Sequence, residues 1–189
     1  MARRSRTTIY VAPCTPAPTE TPADVALLHA DASSSASVRA RVRAAMRRAD
    51  ESGGLVASRF ARGDEFFAWL GGGDIVCFGW VTRGPRWIGG VRMALRPDRV
   101  FLFNFHTVAA HRGRGLYPAL LRAIRGVLAS ARVAEAIIDV NVRNVASAKG
   151  IEKAGFAPIA RTEQWSVLER WSVNIAREVL DAACAPVFG

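Results

Sequence analysis

Two glycines flanked by arginines stand near the middle of the chain, in the run Arg112-Gly-Arg-Gly-Leu-Tyr117. An apolar, aromatic-rich segment from Val100 to Thr107 precedes this run and a helical pattern follows it, so the glycines lie at a strand-to-helix junction. Glycine lets the backbone approach an anion closely, and the first N–H groups of a helix converge on phosphate. The run therefore predicts a phosphate or pyrophosphate site. It is neither the dinucleotide fingerprint, whose third glycine is replaced by Pro118, nor a Walker loop.

A second polar segment follows the first along the chain. It consists of Asn144-Val-Ala-Ser147 and ends in Glu152-Lys-Ala-Gly-Phe156. Asn144 is suited to cap a short helix and Gly155 to end it. Between the two segments come a helix with one apolar stripe and then a buried strand over Val133–Val140. Strand, helix and strand together form a βαβ unit, which predicts that its two strands are parallel.

Taken in this order, the two segments resemble the paired signatures of the GNAT superfamily of acyl-CoA-dependent N-acyltransferases, over roughly residues 60 to 160. The resemblance implies an α/β fold of the α+β type, a single domain with a mixed central β-sheet flanked by helices on both faces. It also implies acetyl-CoA or another acyl-CoA as co-substrate. In the family, main-chain amides of the first motif bind the CoA pyrophosphate, and the asparagine of the second hydrogen-bonds CoA.

Carried over residue by residue, the resemblance assigns cofactor binding to the strand end, the loop and the second motif: Thr107, Val108, Arg112, Gly113, Arg114, Gly115, Leu116, Tyr117, Asn144 and Ser147. It places the oxyanion donors among the main-chain amides near His106, Thr107 and Val108. Two positions depart from the family pattern. Tyr117 stands where the loop usually ends in Gly or Ala, and Ile151 stands where many members have a Tyr that protonates the departing thiolate.

Two side chains are the candidate catalytic residues. An attacking amine must lose a proton, and His106 is the candidate base because a histidine side chain titrates near neutral pH. The alternative is a structural histidine that faces away from the cleft, since strand alternation places it opposite Phe105 and Thr107 unless a bulge changes the phase. Tyr117 is the candidate proton donor, with packing as its alternative. Asp139 and Asn141 share a strand face and either organise water or simply end the strand.

The composition fits one globular domain: 50% of the 189 residues are hydrophobic and 22% are charged. We expect a basic, Pro/Thr-rich N-terminal segment with a short strand over residues 1–22, and the GNAT-like domain over residues 23–189. The formal net charge of +10 indicates either an anionic ligand or a generally arginine-rich surface. Three widely spaced cysteines, Cys14, Cys77 and Cys184, argue against a disulfide framework and a zinc site, which favours the cytoplasm.

The remaining helices and strands are predicted from the spacing of apolar residues and from the glycine, proline and serine residues that interrupt it. We expect a helix over Asp24–Asp50, divided by a serine cluster with Ser37 capping its second piece. The other expected elements are a hairpin of Phe66–Leu70 and Ile75–Val81, a strand within Trp87–Leu95, strands around Pro158–Glu169 and a helix over Val173–Ala183.

Three functional hypotheses remain open on the sequence. The first is a cytoplasmic N-acyltransferase. Its acceptor is a small-molecule amine, such as a sugar nucleotide, an amino acid or an antibiotic-like amine, or else a protein terminus, and the charge mildly favours an anionic acceptor such as a nucleotide sugar. The second is a catalytically weak GNAT-like module that binds acyl-CoA as a sensor. The third, a nucleic-acid-binding protein, rests on charge alone and lacks a recognisable binding motif. We expect neither a nucleic-acid nor a membrane partner, and a homodimer is left open.

Overall fold

The computed structural model describes residues 2–16, 21–49, 54–88, 91–93, 95–167 and 171–179. Within them the chain forms four α-helices, which are α1 (Ala36–Arg48), α2 (Gly54–Ala61), α3 (Leu116–Ser130) and α4 (Val145–Lys153). The described strands are β1 (Ala2–Pro13), β2 (Val25–Ala30), β3 (Glu65–Gly71), β4 (Asp74–Thr82), β5 (Arg86–Ile88), β6 (Val91–Met93), β7 (Arg99–Thr107), β8 (Glu135–Asn141), β9 (Ala157–Val167) and β10 (Trp171–Val179).

Eight of these strands pair into one mixed sheet, in the order β10-β9-β1-β8-β7-β4-β3-β2, while β5 and β6 form a separate hairpin. The central pair β7 and β8 is parallel, and the other pairs of described strands in this sheet are antiparallel. A parallel pair needs a crossover connection, and α3 supplies it. The mixed sheet and the parallel βαβ unit predicted from the sequence are both confirmed.

Helices cover the sheet on both sides. We call the side covered by α3 and α4 the α3 face, with a buried core that includes Phe67, Trp69, Leu102, Leu120, Ile124, Ile138 and Ile151. We call the side covered by α1 and α2 the α1 face, with a core that includes Val42, Met46, Phe60, Phe66, Phe78, Trp80, Phe103 and Ile137. Because a strand points successive side chains to opposite faces, neighbouring residues such as Leu102 and Phe103 belong to different cores.

The strand expected within residues 1–22 is long and lies inside the sheet. β1 has 12 residues and pairs with β8 on one side and with β9 on the other, with Ile9 opposite both Asp139 and Ala160. The N-terminal residues therefore contribute directly to the core, since Ile9 and Ala12 are buried. None of the four described helices has both the length and the apolar character that a membrane-spanning helix requires.

Three expected elements differ in the structure. The first piece of the helix expected over Asp24–Asp50 is the edge strand β2, because Val25–Ala30 pairs with β3. Helix α1 is capped by Ser35, whose hydroxyl accepts from the Val38 N–H, and not by Ser37. The tail helix expected over Val173–Ala183 is strand β10 as far as Val179, paired with β9. Residues 180–183 and Cys184 lie outside the described residues.

Other predictions are confirmed. The hairpin of β3 and β4 turns at Gly72 and Gly73, which both have positive φ. By contrast, the single strand expected within Trp87–Leu95 is wrong: two short strands, β5 and β6, pair there as a hairpin within the described residues. Cys77 is fully buried, as expected of a core residue.

Candidate active site

The two central strands separate before they end. Hydrogen-bonded register between β7 and β8 runs from Arg99 opposite Glu135 to Leu102 opposite Ile138. Beyond that point β7 continues to Thr107 and β8 continues to Asn141 without further pairing to each other. We call the space between these two unpaired strand ends the opening. Main-chain groups along it are available to hydrogen-bond an extended ligand.

A β-bulge shapes the β7 side of the opening. Opposite the single residue Gly79 of β4, strand β7 places Asn104 and Phe105. Asn104 has φ 53°, a left-handed conformation that asparagine tolerates better than most residues. Its Oδ1 accepts a hydrogen bond of 3.1 Å from Arg59 of α2. The bulge keeps Asn104 on the α1 face with Phe103, and so shifts the alternation of the residues that follow.

This shift determines on which face of the sheet each side chain at the end of β7 lies. Phe105 lies on the α3 face, with its ring centroid 5.4 Å from that of Tyr117. His106 lies on the α1 face, where its ring stacks on Phe78 at 5.6 Å. Thr107 lies on the α3 face again, where its hydroxyl donates to Cys77 Sγ at 3.3 Å. His106 and Tyr117 are therefore on opposite faces of the sheet.

One of the expected oxyanion donors is already used. The Val108 N–H donates to the Val76 carbonyl of β4 at 2.9 Å, which removes it from the expected set. Backbone groups alternate in direction along a strand, so the N–H and carbonyl of Thr107 point to the other side, toward the opening. The Thr107 carbonyl accepts from Arg112 Nε at 3.1 Å. The Thr107 N–H remains as the donor that faces the opening.

The glycine loop follows at the same end of the sheet. Gly113 and Gly115 have φ 77° and 73°, and a Cβ built at either would meet nothing within 4 Å. The glycines are thus required by the backbone conformation, and the loop lies open to solvent. Gly115 precedes the first residue of α3. The Trp69 indole N–H donates to the Leu116 carbonyl at 3.1 Å, which ties the start of this helix to β3.

The donors of this loop fit an anion. In the part of the chain that the structure describes, the N–H groups of residues 113 to 117 donate to no acceptor. They surround the amino-terminal end of a 15-residue helix, where the helix dipole is positive. His111 Nδ1, one residue before the loop, is buried and likewise without a hydrogen bond among the described residues. This arrangement suits the pyrophosphate of CoA.

Tyr117 points away from the loop and into the space between α3 and α4. Its hydroxyl lies 3.3 Å from the Ser147 hydroxyl, and its ring packs against Gly150. Burial raises the pKa of Tyr117, and the Ser147 hydrogen bond lowers it by less. The phenol is therefore protonated at neutral pH, as a proton donor must be.

Asn144 caps α4, as predicted. Its side-chain oxygen accepts from the Ser147 N–H at 3.1 Å, which leaves its amide NH₂ to donate elsewhere. Gly155, with φ 84°, ends the helix region. The structure thus joins Asn144, Ser147 and Tyr117 into one group at the amino-terminal ends of α3 and α4.

A second polar group lies on the α1 face of the opening. Asp139 is the first β8 residue beyond the paired register and shares the face of Ile137. Burial raises its pKa, and the Arg86 charge lowers it by less. The Arg86 guanidinium lies 4.0 Å from the centre of the Phe103 ring, and burial lowers its pKa. Arg86 was not among the predicted site residues.

Two cavities are described near the carboxyl end of β8. The larger, about 450 Å³, is lined by Arg4, Ser5, Arg6, Asn141, Arg143 and Asn144. The second, about 350 Å³, runs beside α4 and is lined by Arg6, Thr8, Tyr10, Val140, Val142, Ala148 and Arg161. Of the predicted cofactor residues, Asn144 lines the larger one. The side chains of Trp165 and Trp171, expected near an acceptor cleft, lie outside the described side chains.

No family profile matches the chain, and no curated protein sequence matches it. Solved structures do match. A GCN5-related N-acetyltransferase from Sphaerobacter thermophilus aligns with a TM-score of 0.65 at 14% identity, over 96% of this chain and 55% of that one. A tandem GNAT protein from the clavulanic acid biosynthesis pathway aligns with a TM-score of 0.60 at 14% identity, over 90% of this chain and 53% of that one.

A smaller enzyme also matches. The ribosomal-protein-S18-alanine N-acetyltransferase from Escherichia coli aligns with a TM-score of 0.51 at 19% identity, over 70% of this chain and 78% of that one. The chain spans about half the length of the two larger structures. At these identities the likeness establishes the fold: the protein has the GNAT fold, as the two sequence motifs predicted.

Proposed function

We propose that the protein is an acyl-CoA-dependent N-acyltransferase that moves an acyl group, most simply acetyl, from CoA to a primary amine. The observation that carries this proposal is the position of the N–H groups of residues 113 to 117, which have no acceptor among the described residues. They lie at the amino-terminal end of α3, at the same end of the sheet as the opening between β7 and β8. The GNAT fold of the chain supports the same assignment.

In this proposal the backbone does most of the binding. The amides of Gly113 to Tyr117 hold the pyrophosphate, and the guanidinium of Arg114 adds charge. Arg112 holds the loop to the end of β7 through the Thr107 carbonyl. The Thr107 N–H donates to the thioester carbonyl oxygen, and this bond strengthens as the oxyanion develops. The acyl thioester supplies the activated carbonyl carbon.

The two proton transfers are assigned to residues on opposite faces of the sheet. The amine nitrogen forms a bond to the carbonyl carbon and the carbon–sulfur bond breaks. The amine approaches on the α1 face, where His106 accepts its proton directly or through water. Asp139 lies on that same face and is another titratable group at the opening. Tyr117, on the α3 face, donates a proton to the departing thiolate.

The acceptor is proposed to be a small amine that carries an anionic group. The formal net charge of +10 and the arginines around the larger cavity support an anionic acceptor. The observation that favours the alternative, an acyl-CoA sensor with little activity, is Ile151, which is fully buried where many GNAT members have a proton-donating tyrosine.

Two measurements in sequence test the proposal. Acetyl-CoA should raise the melting temperature, because a ligand that binds the native state stabilises it. Thiol release from acetyl-CoA is then followed with a panel of neutral and anionic primary amines. Stabilisation together with amine-dependent thiol release supports the transferase. Stabilisation without thiol release supports the sensor. If acetyl-CoA neither stabilises the protein nor releases its thiol, both the transferase and the sensor are contradicted.

A further inference from the structure

The larger cavity has an unusual lining. All six residues that line it are polar, and three of them are arginines: Arg4, Ser5, Arg6, Asn141, Arg143 and Asn144. Its volume of about 450 Å³ is within the range of small-molecule sites, but its wall lacks the apolar side chains that usually dominate such sites. A lining of this kind favours a charged group over an apolar one.

The charge of the lining is positive. Arg4 and Arg6 both bind Glu163, with N–O distances of 2.7 and 3.0 Å. Arg143 is exposed and forms no ion pair within the described residues. Of the six lining residues, three carry a positive charge and none carries a negative one, and Arg4 and Arg6 share the single carboxylate of Glu163. Guanidinium groups are the side chains best matched to phosphate and carboxylate oxygens.

The cavity borders the opening. Asn141 ends β8 and belongs to both. Its Nδ2 donates to the Ser5 hydroxyl at 3.0 Å, and its Oδ1 accepts from the Arg143 N–H at 2.9 Å. These bonds hold β1 and the turn after β8 in fixed positions around the cavity. Asn144 adds the amino-terminal end of α4, whose dipole also favours an anion.

We propose that this cavity binds a phosphoryl group of one of the two substrates. The inference rests on the proposed function for the identity of the carrier, which is either the phosphorylated adenosine end of CoA or an anionic acceptor. It assigns a role to Arg4 and Arg6, which the sequence places in a basic N-terminal tail. It also makes Arg143 a binding residue, although no sequence motif singles it out.

Inorganic pyrophosphate is the probe, and amide chemical shifts of the labelled protein report where it binds. Two sets of signals are followed: Asn141, Arg143 and Asn144 for the cavity, and Gly113 and Gly115 for the loop. We expect both sets to shift and saturate on titration. Arg143→Glu should raise the dissociation constant of the cavity set at least about tenfold and leave the loop set unchanged. Arg47→Glu, an equal charge change at an exposed position of α1, should alter neither.

The outcomes separate this inference from the proposed function. Cavity signals that do not move, or that move equally in the Arg143→Glu variant, overturn the cavity site whatever the loop does. Loop signals that do not move count against the CoA site and leave the cavity site standing. Arg143→Lys, which keeps the charge, should recover part of the affinity and exclude a folding defect as the cause.

CoA and 3′-dephospho-CoA then identify the carrier. If CoA shifts the cavity signals and 3′-dephospho-CoA does not, the cavity binds the phosphate on the adenosine end of CoA. If neither CoA nor 3′-dephospho-CoA shifts the cavity signals, and pyrophosphate still shifts them in the presence of saturating CoA, the cavity binds the acceptor. If CoA and 3′-dephospho-CoA shift the cavity signals equally, the cavity does not recognise the 3′-phosphate. Neither the phosphorylated adenosine end of CoA nor the acceptor is then its ligand, and the assignment fails.

Discussion

The ring of Tyr117 occupies the space beside Gly150, where a Cβ would come within 2.5 Å of Tyr117 Cδ1. Helix α4 therefore needs a glycine at this position so that the tyrosine of α3 fits between the two helices. The same tyrosine is hydrogen-bonded to Ser147, one turn earlier in α4. Gly150 thus sets how closely the amino-terminal ends of α3 and α4 approach each other.

Gly150→Ala should destabilise the protein. Glycine-to-alanine changes inside helices usually stabilise by ~0.5–1 kcal/mol, but overpacking against Tyr117 should reverse the sign and cost ~1–3 kcal/mol. Thermal or urea unfolding measures the change. The control is the same substitution in a Tyr117→Ala background, where the space is vacant and Gly150→Ala should be neutral or stabilising. Equal costs in both backgrounds would show that the contact does not constrain the helices.

His106→Gln should lower turnover without weakening cofactor binding. If His106 accepts the amine proton, kcat/KM should fall by roughly 10²–10⁴-fold. The acidic limb of the pH–rate profile, where protonation of the base lowers the rate, should disappear. The dissociation constant of acetyl-CoA should stay as in the wild type. His29→Gln is a matched control, because His29 also stacks on a phenylalanine, Phe67, at 4.2 Å. An unchanged pH profile in the His106 variant would remove this residue from the mechanism.

Asp139→Asn should raise stability at neutral pH. A folded-state pKa raised above the unfolded value means that the carboxyl stabilises the fold below about pH 3.9 and that this contribution is lost as the pH rises through the folded pKa. The neutral asparagine avoids that loss. The melting temperature of the variant should therefore exceed that of the wild type at pH 7.5, and the difference should shrink toward pH 4.

Activity separates the roles of this carboxylate. If Asp139 handles a proton or orients water, the more stable variant should also be slower, whereas a residue with a purely structural role should leave turnover unchanged. Asp98→Asn serves as the control, since the Arg96 hydrogen bond lowers the pKa of Asp98 and no gain in stability is expected there. A lower melting temperature for Asp139→Asn at pH 7.5 would mean that the Arg86 interaction outweighs burial.

The sequence predicts the elements around the glycine loop well, because the signals for these elements are local. The strand before the loop, the two glycines, helix α3 and the Asn144 cap are encoded within single segments by periodicity, positive φ and capping chemistry. The parallel β7–β8 pair follows from the length of the crossover. These elements therefore need no knowledge of distant contacts.

The wrong secondary-structure predictions lie in segments whose structure depends on pairing with a strand that is distant in the sequence. Val25–Ala30 is a short apolar run that fits a helix or a strand, and its pairing with β3 selects the strand. The tail is likewise fixed as β10 by pairing with β9. The bulge at Asn104 has no clear sequence signal beyond an asparagine that tolerates positive φ. Arg86 was missed because Asp139, the residue whose carboxyl it acts on, lies more than fifty positions further along the chain.

Calorimetric titration with acetyl-CoA decides whether the loop at the start of α3 binds CoA. Gly115→Glu is compared with Gly73→Glu, because both glycines have positive φ, 73° and 87°, and open space around them. Both variants should be destabilised similarly. Gly73→Glu should bind acetyl-CoA as the wild type does, and Gly115→Glu should lose about 100-fold or more, ~2.7 kcal/mol. Wild-type protein that binds no acetyl-CoA, or equal affinity in all three proteins, would show that this loop is not the CoA site.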